Sequence, residues 1–301
     1  MSRHILLTGG TGFIGRILCR ELLANGDQIT VLSRQSAADV RAICGRVEAL
    51  PDLAKLRGHK GFDAIINLAG EGIADKRWSE TRKQAIRDSR IELTQQLVDV
   101  AKTWLQPPQV MVSGSAVGFY GAQGGLEVTE ATPPHNEFTH RLCSDWEQTA
   151  MELADLGVRV CLSRTGIVVG PNGGFLQRMI LPFKLGVGGK LGSGEQYMPW
   201  VHRQDVVGAL LWMLTTETAL GAYNVVSPSP VTNATFTKTL GSVLHRPTIL
   251  PAPAVALKLA LGEMSGLLLT GQRAIPARLQ AEGFEFRFTE LEPALKDAIA
   301  N

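Results

Sequence analysis

One stretch narrows the choice of fold more than any other. It is Thr8-Gly9-Gly10-Thr11-Gly12-Phe13-Ile14-Gly15, placed after the apolar run Ile5-Leu6-Leu7 and before Leu18, Leu22 and Leu23 at helical spacing. A strand that ends in a glycine-rich turn and opens into a helix is an arrangement that cradles a pyrophosphate. Gly9 lets the chain turn sharply out of the sheet. Gly12 removes a side chain where a phosphate would approach, and Gly15 allows close packing of the helix. The free N–H groups and positive dipole end of that helix then face the phosphates. Gly9, Thr11, Gly12, Phe13, Ile14 and Gly15 therefore form the expected cofactor-binding turn.

The rest of the first half repeats the alternation. Apolar runs at Ile29 to Leu32, Val47 to Leu50, Ala64 to Ile66, Val110 to Val112 and Val158 to Leu162 read as strands. Helical patterns lie between them, one long stretch from about Glu80 to Leu105 and another from Cys143 to Leu156. Strands alternating with helices predict βαβ units, and uniformly apolar strands predict a sheet covered on both faces. The expected class is α/β, a Rossmann-type doubly wound parallel sheet with a smaller mixed C-terminal lobe. Pro171 to Gly194 is glycine-rich and reads as loop with one short helix. Trp200 to Leu214 returns to strand-then-helix, with Asp205 as the expected N-cap. From Val231 onward helical segments are broken at Pro247, Pro251 and Pro253. The expected division is a Rossmann core over 1–170, completed by about 200–226, with 171–199 and 227–301 forming a substrate-side lobe.

Composition removes several functions. With 45% hydrophobic and 19% charged residues in 301, the chain can build a sizeable core. Thirty basic against 28 acidic residues leave a net charge of +2, so no nucleic-acid partner is expected. The most apolar late stretch, Ile249 to Gly271, is interrupted by Pro251, Pro253, Lys258 and Glu263, so no membrane partner is expected. Four cysteines, Cys19, Cys44, Cys143 and Cys161, show neither paired nor metal-ligand spacing. That usage fits a reduced cytoplasm and no metal. Nothing in the sequence announces an oligomeric state.

The second strand ends Val31-Leu32-Ser33-Arg34, with no acid until Asp39. A fold selective for NAD places Asp or Glu there to bond the ribose 2′-hydroxyl. A serine hydroxyl and a planar cation suit a 2′-phosphate instead, so NADP(H) is the expected cofactor, held by Ser33 and Arg34. Arg90 falls on the apolar stripe of Ile86, Leu93, Leu97 and Ala101. A cation on such a stripe meets an anion or reaches to water, and a cofactor phosphate is one such anion.

TGGTGFIG at 8–15, NLAG at 67–70 and SGSAVGFYG at 113–121 resemble the extended short-chain dehydrogenase/reductase superfamily. RTGIVVGP at 164–171 and PWVHRQD at 199–205 carry the likeness to about residue 225. AGEGIADKRW at 69–78, SRIELT at 89–94, GGFLQRMILPFKLGVGGKLGSG at 173–194 and LLLTGQRAIPARLQAEGFEF at 267–286 are more specific. They are similar to its atypical, epimerase-family branch of the SDR39U type. The resemblance implies that Leu68 and Ala69 pass the adenosine side of the cofactor. It also implies that Val168 lies in the segment covering the nicotinamide, and that Ser115 is the active-site serine ending the fifth strand.

The superfamily's catalytic Tyr, three residues before a Lys, falls here on Thr139 and Cys143 when Glu147 is aligned with the glutamate that follows that Lys. Neither residue ionises usefully near neutral pH. Tyr120 is the expected substitute acid/base, with Ser115 polarising the substrate oxygen. His140, Glu71, Arg77, Trp78 and His202 are further candidates near the same cleft, and Arg164 reads as buried and paired. The expected function is hydride transfer on a small polar, sugar-nucleotide-like substrate. The alternative is an NADP(H) sensor or scaffold that keeps the cofactor site without chemistry.

Overall fold

The structure, a computed structural model, describes residues 2–300. The chain begins with β1 (His4–Thr8), α1 (Gly15–Ala24), β2 (Gln28–Leu32), α2 (Ala37–Cys44), β3 (Glu48–Leu50) and β4 (Ala64–Asn67). Next come α3 (Glu80–Asp88), α4 (Ile91–Ala101), β5 (Val110–Ala116), β6 (Glu127–Val128), α5 (Phe138–Met151), β7 (Arg159–Thr165) and β8 (Ile167–Val169). Then follow α6 (Gly174–Lys184), β9 (Tyr197–Met198), β10 (Trp200–His202), α7 (Arg203–Thr215), β11 (Gly221–Val225), β12 (Val231–Thr232) and α8 (Asn233–Val243). The chain ends with α9 (Ala254–Leu261), α10 (Gly266–Leu269), β13 (Arg273–Ala274), α11 (Ala277–Ala281) and α12 (Leu291–Ala300).

Seven of these strands make one parallel sheet in the order β11-β7-β5-β4-β1-β2-β3. The order reverses at β1, because β2 lies on one side of it and β4 on the other. A crevice opens at that switch, beyond the carboxyl ends of the strands. Alternation along β1 builds both layers of core: Ile5 and Leu7 join one cluster and Leu6 the other. The expected doubly wound sheet is the observed one.

Two elements differ from expectation. The long helix of 80–105 is two, α3 and α4, parted at Ser89 and Arg90. Ser89 Oγ donates to Ile86 O and accepts Glu71 N–H, drawing the chain aside there. Asp205 is not the cap of α7. His202 caps it, accepting Gln204 N–H at 3.3 Å, because the helix begins directly at the end of β10 and not at the apolar run from Val206. Asp205 instead accepts N–H groups of Arg287 at 2.7 Å and Phe288 at 3.1 Å, fastening the late chain to the sheet layer.

The lobe has its own core, in which Leu176, Phe183, Trp200, Phe236 and Leu295 are buried together. It is built from α6, α8, α12 and short strand pairs, β8 with β10, β9 with β12 and β6 with β13. The chain then returns to the sheet. Arg278 donates to Leu220 O and Ala222 O along the outer edge of β11, and Glu130 accepts Asn224 N–H there. No helix of the described residues is long and apolar enough to cross a membrane.

Candidate functional site

The glycine turn is built as its sequence requires. Gly9 has φ +70°, and a Cβ there would lie 2.7 Å from the carbonyl of Leu68. A Cβ on Gly15 would lie 2.1 Å from Gly9 O, so that glycine is fixed by the turn folding onto itself. Gly12 donates its N–H to Gly9 O at 3.0 Å and is exposed, with no side chain over the mouth of α1. Leu68 and Ala69 close the turn from β4: Leu68 N–H reaches Thr8 O and Ala69 N–H reaches Thr8 Oγ1 at 3.0 Å. Thr11 lies in the same turn, half-buried.

Phe13 does something the motif does not announce. Its ring is wedged against Gly173 and Gly174, with the Arg203 guanidinium 4.6 Å from its centroid. Arg16 donates to Asn172 O at 2.7 Å beside it. The ring thus joins the turn to the loop that opens the lobe. Ser33 and Arg34 follow β2, with Ser33 half-buried and Arg34 exposed. Ser33 Oγ accepts Gln35 N–H at 3.2 Å, which shapes that bend.

A cavity of about 700 Å³ lies between the carboxyl ends of the sheet strands and the lobe. Ile14, Leu68, Ser115 and Thr165 line it from the sheet, and Phe175, Gln196, Tyr197 and Leu267 from the lobe. Ile73, Trp78, Arg90, Phe138, Thr139 and Cys143 complete the wall. Trp78 donates to Ile73 O at 2.9 Å and packs edge-on to Phe138, so the loop after β4 is pinned over the opening. Val168 faces the sheet core, while its neighbour Ile167 lines the cavity. Alternation on β8 separates the two.

Arg90 reaches this wall although the stripe that singled it out is interrupted. Its guanidinium donates to Ile86 O at 3.1 Å and Glu71 O at 2.9 Å and lies over Trp146. Gly70 backs it without a side chain. Burial lowers its pKa from the usual arginine value.

Ser115 Oγ donates to Glu147 Oε1 at 2.6 Å. Glu147 is in turn forked by Arg164, Nε to Oε1 and Nη2 to Oε2, both at 2.8 Å. Arg164 is thus buried and paired, as its strand position suggested. Ser115 thus stands on the cavity wall with a carboxylate behind it. Ser115 Oγ can accept a hydrogen bond from a substrate hydroxyl, and its rotatable hydrogen can turn from Glu147 to a carbonyl oxygen.

Tyr120 is the larger correction. It is fully buried and does not line the cavity. Its hydroxyl donates to Asn224 Oδ1 at 2.7 Å and accepts from Arg164 at 3.0 Å. Burial also pushes its pKa up to about 12, and with both hydroxyl partners inside the protein it offers no proton to a ligand in the cavity. Thr139 and Cys143 do occupy the wall, and burial likewise holds the Cys143 thiol at about 12.

The other candidates are spent elsewhere. His140 Nδ1 is bonded to Phe119 O at 2.7 Å, and its ring packs on Phe119. His202 is buried against Phe288 beside Asp297. Glu71 pairs with Arg82, and exposed Arg77 packs against the Gly262 turn. The aromatic and lobe residues Phe138, Phe175 and Tyr197 were not among the expected site residues. Phe138 arrives on the first turn of α5, and Phe175 and Tyr197 are brought to the opening by the fold of the lobe. Among the described residues no cluster of His, Cys, Asp and Glu could hold a metal ion.

Comparison with known proteins places this geometry. Residues 5–226 match the model of the NAD dependent epimerase/dehydratase family, and residues 252–298 match a domain of unknown function, DUF1731. An epimerase family protein of Staphylococcus aureus (strain N315) is 35% identical, with 99% of both chains covered. The crystal structure of human epimerase family protein SDR39U1 with NADPH superposes with a TM-score of 0.88 at 35% identity, covering 99% of each chain. A nucleoside-diphosphate sugar epimerase from Corynebacterium glutamicum follows at TM-score 0.79 and 27% identity, covering 99% of this chain and 58% of that one. With its Rossmann sheet, glycine turn and C-terminal lobe, the chain belongs to the NAD dependent epimerase/dehydratase family, in the epimerase-family group that carries a DUF1731 segment.

Proposed function

We propose that the chain binds NADP(H) and is an oxidoreductase or epimerase acting on a secondary alcohol or ketone held in the 700 Å³ cavity. The observation that carries this reading is the turn of Gly9, Gly12 and Gly15. Its backbone is closed so tightly at Gly9 and Gly15 that side chains are excluded there, and it leaves the N-terminus of α1 open. That cradle fits a pyrophosphate. Thr11, Phe13 and Ile14 belong to the same turn, and Leu68 and Ala69 flank it. Arg34, exposed beyond β2 with Ser33 beside it, fits the 2′-phosphate. Ile14, Leu68, Arg90 and the Gly166 to Val168 stretch surround the inner end. The human relative crystallised with NADPH supports this assignment.

The nicotinamide of a bound cofactor supplies or accepts hydride. The residues of this chain do the rest. Ser115 accepts a hydrogen bond from a substrate hydroxyl and so holds the adjoining carbon toward the inner end of the cavity. Its bond to Glu147 gives a hydroxyl proton a route inward. Residues 1–170 with 200–226 carry the cofactor, and 171–199 with 227–301 close over substrate. Four buried cysteines, free of disulfides, support a reducing, cytoplasmic setting. The second reading, an NADP(H) sensor without chemistry, is favoured by Thr139 and Cys143, which put no ionisable pair on the wall.

NADPH deuterated at the nicotinamide C4, incubated with the protein and a metabolite extract, decides between the two. Deuterium is expected in a metabolite by mass spectrometry. Full retention on the cofactor, together with no solvent exchange in a repeat with NADP+, establishes the sensor. The cofactor assignment has its own check. Arg34→Ala is expected to weaken NADPH by about 1.5–3 kcal/mol, one charge-assisted contact, and to leave NADH nearly unchanged in equilibrium titration. Equal losses for both remove Arg34 from the 2′-phosphate.

A further inference from the structure

The cavity is shaped for a ligand that its family would not suggest. Ile73, Trp78, Phe138, Phe175 and Leu267 form its outer wall, away from Ser115. These side chains are half-buried. Apolar groups facing an interior cleft are the part of a site that gains by excluding water.

The charges point the same way. Arg90 is the cation among the described lining residues, and its terminal nitrogens are committed to Ile86 O and Glu71 O. The ionisable carboxyl side chains on the wall are Glu137 and Glu263. Glu137 accepts Ala122 N–H, and Glu263 pairs with Lys83. Near the rim, Arg178 pairs with Asp75 and Arg273 with Glu127, and Arg77 lies exposed against the Gly262 turn, outside the lining. A nucleoside diphosphate brings charges that need a fork of arginines or lysines when buried, and this wall does not offer one.

We propose that the substrate is an uncharged, mostly apolar ketone or secondary alcohol rather than a nucleotide sugar. Its oxygen meets Ser115 and its hydrocarbon body lies on Trp78 and Phe138. Gln196, Tyr197 and Gln272 on the lobe side offer uncharged hydrogen-bonding groups for one further polar atom. This deepens the reading above and rests on it for the reaction, but not for binding.

The test is equilibrium binding to the full chain, with and without NADPH, followed by tryptophan fluorescence and calorimetry. The probes are 4-phenylcyclohexanone, 2-undecanone and UDP-glucose. The two ketones are expected to bind with a negative heat-capacity change and little dependence on salt. UDP-glucose is expected not to bind. Trp78→Ala removes a large apolar contact and should weaken the ketones about tenfold or more, with NADPH affinity unchanged. Since that change also frees the loop over the opening, Leu267→Asn on the opposite wall is the second variant, with the same expected loss. Salt-sensitive binding of UDP-glucose overturns the proposal. So does a failure of both ketones to bind, or ketone affinity indifferent to both variants. Loss of NADPH binding alone would instead strike the cofactor assignment and leave the ketone titration readable.

Discussion

His202 shows how much a single residue can couple folding to pH. The ring is fully buried, caps α7 through Nδ1, and lies 3.2 Å from Asp297 through Nε2. Burial lowers its pKa from 6.5 to about 4, against the opposing pull of Asp297. The unfolded chain therefore takes up the proton first as the pH falls. Stability is expected to be whole above about pH 6.5 and to fall between there and about pH 4, by up to about 1.4 kcal/mol per unit. His202→Asn keeps a capping side chain without the titration. Denaturant melts from pH 4 to 7 should show a flatter profile for the variant, and identical profiles would assign the acid loss to other groups. Sequence patterning could not separate such residues. Ser115 ends the fifth strand and Tyr120 follows it, and in the sequence the two look equally available. Only burial and partners assign one hydroxyl to Asn224 and Arg164 and the other to the cavity wall.

At the scale of elements, the local rules hold where backbone geometry is most constrained. Gly15 sits at the first turn of α1 with the carbonyl of Gly9 against its open face. Gly15→Ala is expected to cost about 1–3 kcal/mol, since backbone rather than a flexible side chain must move. It should also weaken NADPH by displacing the turn. An unchanged melting temperature would show that the turn relaxes freely. The strands and this turn were legible because each depends on residues adjacent in the chain. The break between α3 and α4 was not, because it depends on Ser89 meeting Glu71, far away in sequence. The true cap of α7 was missed for a related reason. Asp205 has the right chemistry for a cap but is used by the late chain. The end of that helix depends on distant residues too, with Arg159 from β7 donating to Met213 O and Leu214 O.

Seen whole, the molecule is stitched so that its late segments complete its early ones. Asp205 holds Arg287 and Phe288, Asn224 donates to Ile275 O, and β13 extends β6. Six of the seven sheet strands and the cofactor turn were readable in advance because each is a local pattern within residues 4–165, whereas the edge strand β11 was not among them. The apolar outer wall was not, because it exists only once residues 171–199 and the late chain fold over the opening. A chain ended after residue 226 is expected to lose the cooperative thermal transition of the full protein, leaving Asp205 buried without its two N–H partners. Calorimetry of the truncated chain checks this. A sharp transition at the full-length temperature would mark the two regions as independent.

The return of the chain to β11 has a consequence beyond stability. The outermost strand of an open sheet carries unused N–H and C=O groups that can recruit a strand from another molecule. Here Arg278 occupies the outward carbonyls of Leu220 and Ala222, and Glu130 occupies the outward N–H of Asn224. The margin that would otherwise be a template for aggregation is closed by three side-chain contacts. Two of them come from a single arginine more than fifty residues further along the chain. During synthesis the Leu220 and Ala222 carbonyls stay uncovered until residue 278 has left the ribosome, so strand pairing with another molecule is expected to be easier before that point.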